Sequence, residues 1–172
     1  MESNQLVGGN AHRCSPFSST PGKANSILPA GWHDLNDLYQ LEKSCFGEDA
    51  HGYLDMLVML TFPGYIRMKA LIEGQIAGFV IAEQRRGKYS AWIDAIGVAQ
   101  EYRRQGIAKA LLLSCERQLG ALCIRLYVRC SNLSAIGLYK QSGYLKTGIR
   151  HRYYLDKEDA LVMEKNVDIH SK

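Results

Sequence analysis

The stretch VAQEYRRQGIAKALLLSCERQL, Val98 to Leu119, decides how the rest of the chain is read. Apolar residues recur at Ile107, Ala108, Leu111, Leu112, Cys115 and Leu119, the spacing of one buried helical stripe, while Lys109, Glu116, Arg117 and Gln118 fall on the other side. Directly before it, SAWIDAIGV (residues 90–98) is dense in apolar and β-branched residues and reads as a largely buried strand. The unit is strand, short loop, helix, and the loop carries two arginines and a glycine.

Such a junction has a chemistry of its own. The first backbone N–H groups of a helix lack partners and together carry roughly half a positive charge, so the helix mouth attracts anions before any side chain is counted. Gly106 lets an oxygen approach the backbone, Ala108 nearly so, and Arg103 and Arg104 add charge and forked donors. Phosphate or pyrophosphate suits this arrangement. Short glycine motifs also recur by accident, and the same letters describe a solvated arginine pair ahead of a turn, so support must come from elsewhere in the chain.

With 172 residues, 47% of them hydrophobic, the chain fits one domain with its own core and leaves no room for a second catalytic domain. The formal charge of +4 agrees with a polyanionic cofactor or a ribosomal partner and does not discriminate between them. The cysteines (Cys14, Cys45, Cys115, Cys123 and Cys130) are odd in number and form no C-x-x-C, which points to reduced thiols and a cytoplasmic setting rather than a zinc or disulfide framework. No metal site is expected. The densest apolar run, YLDMLVML, is interrupted by Asp55 and far too short to span a bilayer, so neither a membrane nor a nucleic acid is an expected partner. Residues 1–30 mix Ser, Gly, Asn and Pro without periodicity and read as a flexible tail; with only Arg13 and Lys23 for charge they make a poor transit peptide. The domain is expected over 31–168, with a short C-terminal tail at 169–172.

Along the chain, GWHDLNDLYQLEKSCF puts Trp32, Leu35, Leu38, Leu41 and Cys45 on about one face of a first helix, and GYLDMLVMLTFP makes a second that stops near Pro63. YIRMKALIE and IAGFVIAEQ read as strands joined by a turn at Gly74, and RRGK (residues 85–88) is a second turn. After the central helix come the strand ALCIRLYVRC and a short helix that Ser131 or Asn132 caps and Gly143 closes. YLKTGIRHRYYL and EDALVMEKNV finish as strands. The order is ααβββαβαββ, without an internal repeat.

With that order of elements, RRQGIA after a strand resembles the acetyl-coenzyme A signature of the GNAT superfamily of N-acetyltransferases, Gln/Arg-x-x-Gly-x-Gly/Ala, filled here by Arg103, Gly106 and Ala108. The stretch VRCSNLSAIGLYKQSGYLKTGIRHRYY, followed by EDALVME, is similar to the RimI type within it, the bacterial enzymes that acetylate the N-terminal alanine of a ribosomal protein. The resemblance runs over about residues 32–166 and is strongest after residue 88. It implies an α/β (α+β) fold: a mixed, twisted sheet of about six to seven strands flanked by helices, whose fourth and fifth strands splay to admit pantetheine.

The resemblance also assigns roles. The backbone of Ile96, Gly97 and Val98 would pair with pantetheine like a further strand, with an N–H at Val98 stabilising the oxyanion. Arg103, Arg104, Gln105, Gly106, Ile107, Ala108 and Lys109 would cradle the pyrophosphate, and Asn132 would contact coenzyme A beside the thiol. Tyr139 matches the family's general acid, which protonates the leaving thiolate, although a tyrosine spaced from Ile136 as this one is also fits a plain core position. Tyr153 and Tyr154 resemble paired tyrosines that grip the substrate's first peptide units; on a strand they would face opposite ways, leaving one for direct contact. Phe46, Tyr65 and the loop reaching Tyr53 would form the opposite wall.

One position departs from the pattern. Where the RimI type has a glutamate serving as base, and another N-terminal acetyltransferase class a histidine, this chain has Tyr127. A phenol with a pKa near 10 accepts protons poorly at neutral pH. An α-amine of pKa about 7.7–8.0 is already roughly one quarter neutral at pH 7.4, against about 0.1% for a lysine, so the loss weighs more against lysine substrates than against N-terminal amines. Asp94, Glu83 and His151 are the candidates for a relay. Asp94 lies one pleat from Trp92, a position that lines the cleft in some relatives, and faces the cleft if no bulge intervenes; a structural aspartate accepting backbone hydrogen bonds fits equally well.

Three functions follow: acetyl transfer to a protein N-terminus, of ribosomal type; acetyl transfer to a small amine such as a polyamine; and a non-catalytic acyl-coenzyme A-binding domain, for which Tyr127 is the main support. Either a monomer or a homodimer fits.

Overall fold

Short, β-branched runs broken by turns set the strands, and helices bury one stripe each. The computed structural model describes residues 26–85 and 89–167. The chain runs β1 (Ser26–Pro29), α1 (Leu35–Phe46), α2 (Tyr53–Thr61), β2 (Tyr65–Ile72), β3 (Gln75–Arg85), β4 (Ser90–Val98), α3 (Ile107–Leu119), β5 (Cys123–Arg129), α4 (Leu133–Gln141), β6 (Leu145–Arg150) and β7 (Ala160–Asn166). The strands form one seven-stranded sheet in the order β1-β2-β3-β4-β5-β7-β6. Every neighbouring pair is antiparallel except β4 with β5.

The parallel pair is what shapes the site. β4 and β5 hold register only from Ser90↔Cys123 to Ile93↔Leu126, after which they part. Asp94–Val98 and Tyr127–Arg129 therefore face each other across a gap with no ladder between them, the expected splay. On one face of the sheet α3 and α4 pack over a core that includes Leu111, Leu112, Ile124, Leu126, Tyr144 and Met163. On the other, α1 and α2 cover a smaller core of Leu38, Met56, Leu60, Phe79 and Ile81.

Several sequence expectations change. The sheet begins before residue 31: Ser26–Pro29 pairs with Met68–Leu71 of β2, so these four residues belong to the fold rather than to the tail expected over 1–30. SILP is too short to show a strand period, and only its partner reveals it. Trp32 is 62% exposed, because it sits in a single 3-10 turn before α1 and stacks on His33 instead of the core. Glu42 takes the buried stripe position between Leu38 and Cys45. Glu116, assigned to the solvent side of α3, is largely covered and pairs with Lys165 at 2.7 Å. Tyr153 and Tyr154 lie beyond β6, in the loop to β7. Residues 1–25, 86–88 and 168–172 lie outside the described residues, and with them Cys14, most of the turn expected over 85–88, most of the tail expected over 1–30 and all of that expected over 169–172.

No helix among the described residues is long and apolar enough to cross a membrane. Cys45, Cys115, Cys123 and Cys130 are free thiols.

Candidate active site

β4 carries the site because it is bulged. Opposite β3, Ile81 pairs with Ala95 and Ala82 with Ile93, which leaves Asp94 as the extra residue. The bulge flips the strand's alternation: Ala91 and Ile93 belong to the core under α3, whereas Ala95 belongs to the core under α1 and α2. The side chain of Asp94 thus shares the α1–α2 side with Trp92. Cross-strand register puts Tyr65, Glu83 and Arg125 on that same side, and Tyr127 and Arg129 follow at two-residue steps along β5.

On the α3 side, the backbone does most of the preparation. After Val98 comes a 3-10 turn (Gln100–Tyr102), then Arg104 with φ +65 and Gly106 with φ +80, and no side chain caps α3. Two left-handed residues curl the chain so that its N–H groups turn toward one concavity, and the first turn of α3 adds its own. A Cβ at Gly106 would meet no atom within 4 Å, so the space above is open to a diphosphate. Arg104, Gln105 and Lys109 stand exposed at its rim, with Ala108 half-buried and Ile107 anchored in the core. Arg103 turns back and donates from Nε to the Val98 carbonyl at 3.1 Å, tying the loop to the end of β4. These residues fit the pyrophosphate of coenzyme A.

Gly97 is demanded by packing. A Cβ there would come within 2.7 Å of the Phe79 ring and 3.2 Å of Cys45 Sγ, so α1 and β3 press directly on the strand that borders the gap. Cys45 Sγ also donates to the Val98 carbonyl at 3.6 Å. Asn132 caps α4, its Oδ1 accepting from the Ala135 N–H at 3.0 Å, which fixes its amide at the helix mouth near the end of β5.

Tyr139 is buried in the core under α4, its ring edge-on to Tyr144 with centroids 5.7 Å apart. Burial, with the Tyr154 phenol nearby, pushes its pKa well above the ordinary tyrosine value, which keeps the hydroxyl protonated as a donor.

The α1–α2 side is made of side chains. Trp92, Tyr127, Tyr153 and Tyr154 form a row, with successive centroids 4.8, 4.7 and 5.1 Å apart. Arg85 lies over Trp92 at one end and Arg129 over Tyr154, 4.1 Å from its centroid, at the other. Tyr153 is half-exposed and Tyr154 more covered, with burial pushing the Tyr154 phenol up to about 12. Because both come from a turning loop rather than a strand, they share the row instead of facing opposite ways.

Arg129 also joins the two walls. It binds Asp49 in the α1–α2 segment, and Asp156 at 2.8 Å and Glu158 at 2.5 Å in the β6–β7 loop. These carboxylates hold its guanidinium even more firmly protonated than usual, with Asp156 the largest contributor. Glu158 in turn accepts from the Ser131 N–H at 2.7 Å, linking this network to the mouth of α4. Phe46 and Tyr65 pack at the margin of the smaller core, and Tyr53 bonds Asn36 at 2.9 Å.

Of the relay candidates, His151 is 77% exposed and pairs with Asp159 at 2.9 Å. Glu83 is committed to Arg85. Asp94 remains: its Oδ2 is buried with no hydrogen-bond partner, and burial, reinforced by Glu83, pushes its pKa up to about 6. It therefore does not have the satisfied carboxylate of a structural aspartate. Beside it is a pair the sequence reading missed, Glu42 and His51, bonded at 2.6 Å. The signal was present: Glu42 lies four residues after Leu38 and three before Cys45, on the apolar stripe of α1.

The acetyltransferase (GNAT) family profile matches residues 32–144. The chain is 35% identical over 163 residues to the N-terminal acetyltransferase A complex catalytic subunit ard1 of Schizosaccharomyces pombe, covering 90% of this chain and 84% of that one. It is 33% identical over 105 residues to the ribosomal protein bS18-alanine N-acetyltransferase of Escherichia coli, covering 58% of this chain and 70% of that one. The crystal structure of the ribosomal-protein-S18-alanine N-acetyltransferase from Escherichia coli superposes with a TM-score of 0.76 at 28% identity, over 83% of this chain and 94% of that one. The phosphate-fitting mouth of α3, the splay of β4 from β5 and these likenesses agree, and the chain belongs to the acetyltransferase (GNAT) family, as an N-acetyltransferase whose acyl donor is acetyl-coenzyme A.

Proposed function

We propose that the protein acetylates the free α-amine of a protein N-terminus by direct attack of the amine on the thioester in a ternary complex. The observation that carries this reading is the wall of Trp92, Tyr127, Tyr153 and Tyr154 on the acceptor side, with Asp49, Asp156 and Glu158 already bound to Arg129. A polyamine needs a cluster of free carboxylates to meet its several charges; these three are bound to Arg129, and Asp94 stands alone. A row of aromatic rings along one side of the gap suits an extended peptide backbone. The names of the relatives, which act on protein N-termini, support the same substrate, a ribosomal protein among them.

In this reading pantetheine lies along Ile96–Val98, its diphosphate at Arg103–Lys109, with the Asn132 amide beside the thiol. The acceptor enters from the α1–α2 side. Asp94 takes the proton that the ammonium form must lose, directly or through one water, and Tyr139 donates to the departing sulfur. Tyr127 is a stacked wall rather than the base. Asp94 thereby answers the non-catalytic alternative, whose support is the missing carboxylate at position 127.

The test uses short peptides that carry both a free N-terminus and an internal lysine, incubated with acetyl-coenzyme A and fragmented to locate the acetyl group. Label at the N-terminus alone is the expected result; label on the lysine side chain, or turnover only with small amines, contradicts the reading.

A further inference from the structure

Helix α1 places a glutamate where its core-facing stripe calls for a hydrophobe. Glu42 is entirely buried, one turn from Cys45, which touches β4 at Gly97 and Val98. A carboxylate in that position is costly unless something holds it. Its Oε1 meets His51 Nδ1 at 2.6 Å, and its Oε2 is buried without a partner. His51 comes from the segment between α1 and α2, with its side chain 31% exposed, so the pair reaches from the core to the surface. Asp94, on the bulge of β4, offers a second buried and unpartnered oxygen to the same region.

The charges around this trio come from every element packed on it. Asp94 is coupled to Glu83 and Arg85 of β3, Tyr65 of β2, Tyr153 of the β6–β7 loop, Cys115 of α3 and His51 itself. His51 feels Glu42, Asp94 and Asp55 of α2. Two cations act on Asp94: Arg85 more strongly, although it is exposed and bound to Glu83, and His51, which acts from the α1–α2 segment with Glu42 behind it. The bond to Glu42 raises the pKa of His51 and favours that cation.

We propose that His51, oriented by the buried Glu42, is a positioning residue for Asp94: its imidazolium balances the Asp94 carboxylate under the acceptor side of the gap, and it conducts the proton collected there to solvent. The inference rests on the acetyl-transfer reading above. An ammonium acceptor sheds two protons when its nitrogen forms the amide bond and the carbon–sulfur bond breaks. One ends on the sulfur, and the other must leave the cleft. Asp94 accepts it, and with Nδ1 committed to Glu42, His51 Nε2 is the ring nitrogen left to exchange it. The same arrangement would supply a base to a chain that has Tyr127 where the RimI type, which it resembles, has a glutamate.

The experiment measures kcat against pH at saturating acetyl-coenzyme A and a free N-terminal peptide, for the full chain and for Asp94→Asn, His51→Gln and His51→Lys. In parallel, NMR follows the His51 ring titration in the unliganded wild type and in Asp94→Asn. His51→Gln is expected to move the acid limb up by about half to one pH unit with the high-pH plateau lowered less than about fivefold, since one partly screened charge is lost. His51→Lys keeps the cation and keeps the limb near its wild-type position. Asp94→Asn removes the limb, lowers the plateau about a hundredfold and shifts the His51 titration downward. An unmoved limb in His51→Gln, a uniform loss at all pH in both His51 variants, or a His51 titration indifferent to Asp94→Asn overturns the inference. If the wild type turns over no free N-terminal peptide, the acetyl-transfer reading fails instead, and the His51 titration alone decides the coupling.

Discussion

The two sides of the β4–β5 gap are made of different material. On the α3 side the groups proposed to hold the donor are backbone amides shaped by Arg104, Gly106 and an uncapped helix, with a broad apolar core behind them. On the α1–α2 side the groups proposed to serve the acceptor are side chains from five segments, Glu42 of α1, His51 of the α1–α2 segment, Asp94 of β4, Tyr127 and Arg129 of β5, and Tyr153 and Tyr154 of the β6–β7 loop, over a smaller core. A diphosphate is the same in every reaction, so backbone suffices for it. An acceptor differs from enzyme to enzyme, and side chains can be exchanged without rebuilding the sheet.

If that division is right, the largest effects come from the few side chains that do chemistry. Tyr139→Phe removes one oxygen from a buried ring and is expected to lower kcat by about 10²–10³ with acetyl-coenzyme A affinity retained, as read by steady-state kinetics beside calorimetric binding. Asp94→Asn should sharpen the contrast by gaining stability while losing turnover. The folded pKa of about 6 lies above the unperturbed 3.8, so the folded chain binds this proton more tightly than the unfolded one. The stability it contributes is complete below about pH 4 and is lost as pH rises through 6, a difference on the order of 2–3 kcal/mol. Asp94→Asn is therefore expected to raise Tm by several degrees at pH 7.5 and much less at pH 4, by calorimetry at both values.

Next in size is Arg129→Gln, which unties Asp49 from the β6–β7 loop and frees the Tyr154 ring. Peptide KM should rise about tenfold or more with a smaller change in acetyl-coenzyme A KM, since Arg129 holds acceptor-side groups directly and reaches the mouth of α4 only through Glu158 and the Ser131 N–H. Gly106→Ala does the reverse. Its φ of +80 costs an alanine about 1–2 kcal/mol, and the new methyl group stands in the diphosphate's approach, so acetyl-coenzyme A KM is expected to rise about tenfold with peptide KM unchanged. Trp32→Ala, at an exposed residue stacked only on His33, should change Tm and both KM values negligibly. Equal effects of Arg129→Gln and Gly106→Ala on both substrates would break the two-sided account.

The donor side was legible in the sequence for the same reason that it is backbone. RRQGIA and the apolar stripe of α3 are contiguous, and Ile107, Leu111, Leu112, Cys115 and Leu119 are buried as their spacing indicates. The acceptor side was legible only in pieces, because its residues meet through tertiary register. Asp94 could be named, but the bulge that turns it depends on how Ile81 and Ala82 of β3 pair. Glu42 was hidden among polar residues of α1 although its spacing placed it on the buried stripe, since charge normally argues against burial. Tyr153 and Tyr154 continue an apparent strand in sequence, yet the hydrogen bonds of both backbone N–H groups to the Glu158 carbonyl turn them into the loop. β1 had no periodic signal because four residues carry too little of one.

The most direct test of the account is the ratio of kcat/KM for a free N-terminal peptide to that for the same peptide with its N-terminus blocked and a lysine as the sole amine, measured at pH 7.5 by coenzyme A release. The account expects a ratio above about 10², because the acceptor side supplies one modest base, sufficient for an α-amine of pKa about 7.7–8.0 and insufficient for a lysine near 10.4. A ratio near one, or turnover confined to the lysine peptide, would contradict it.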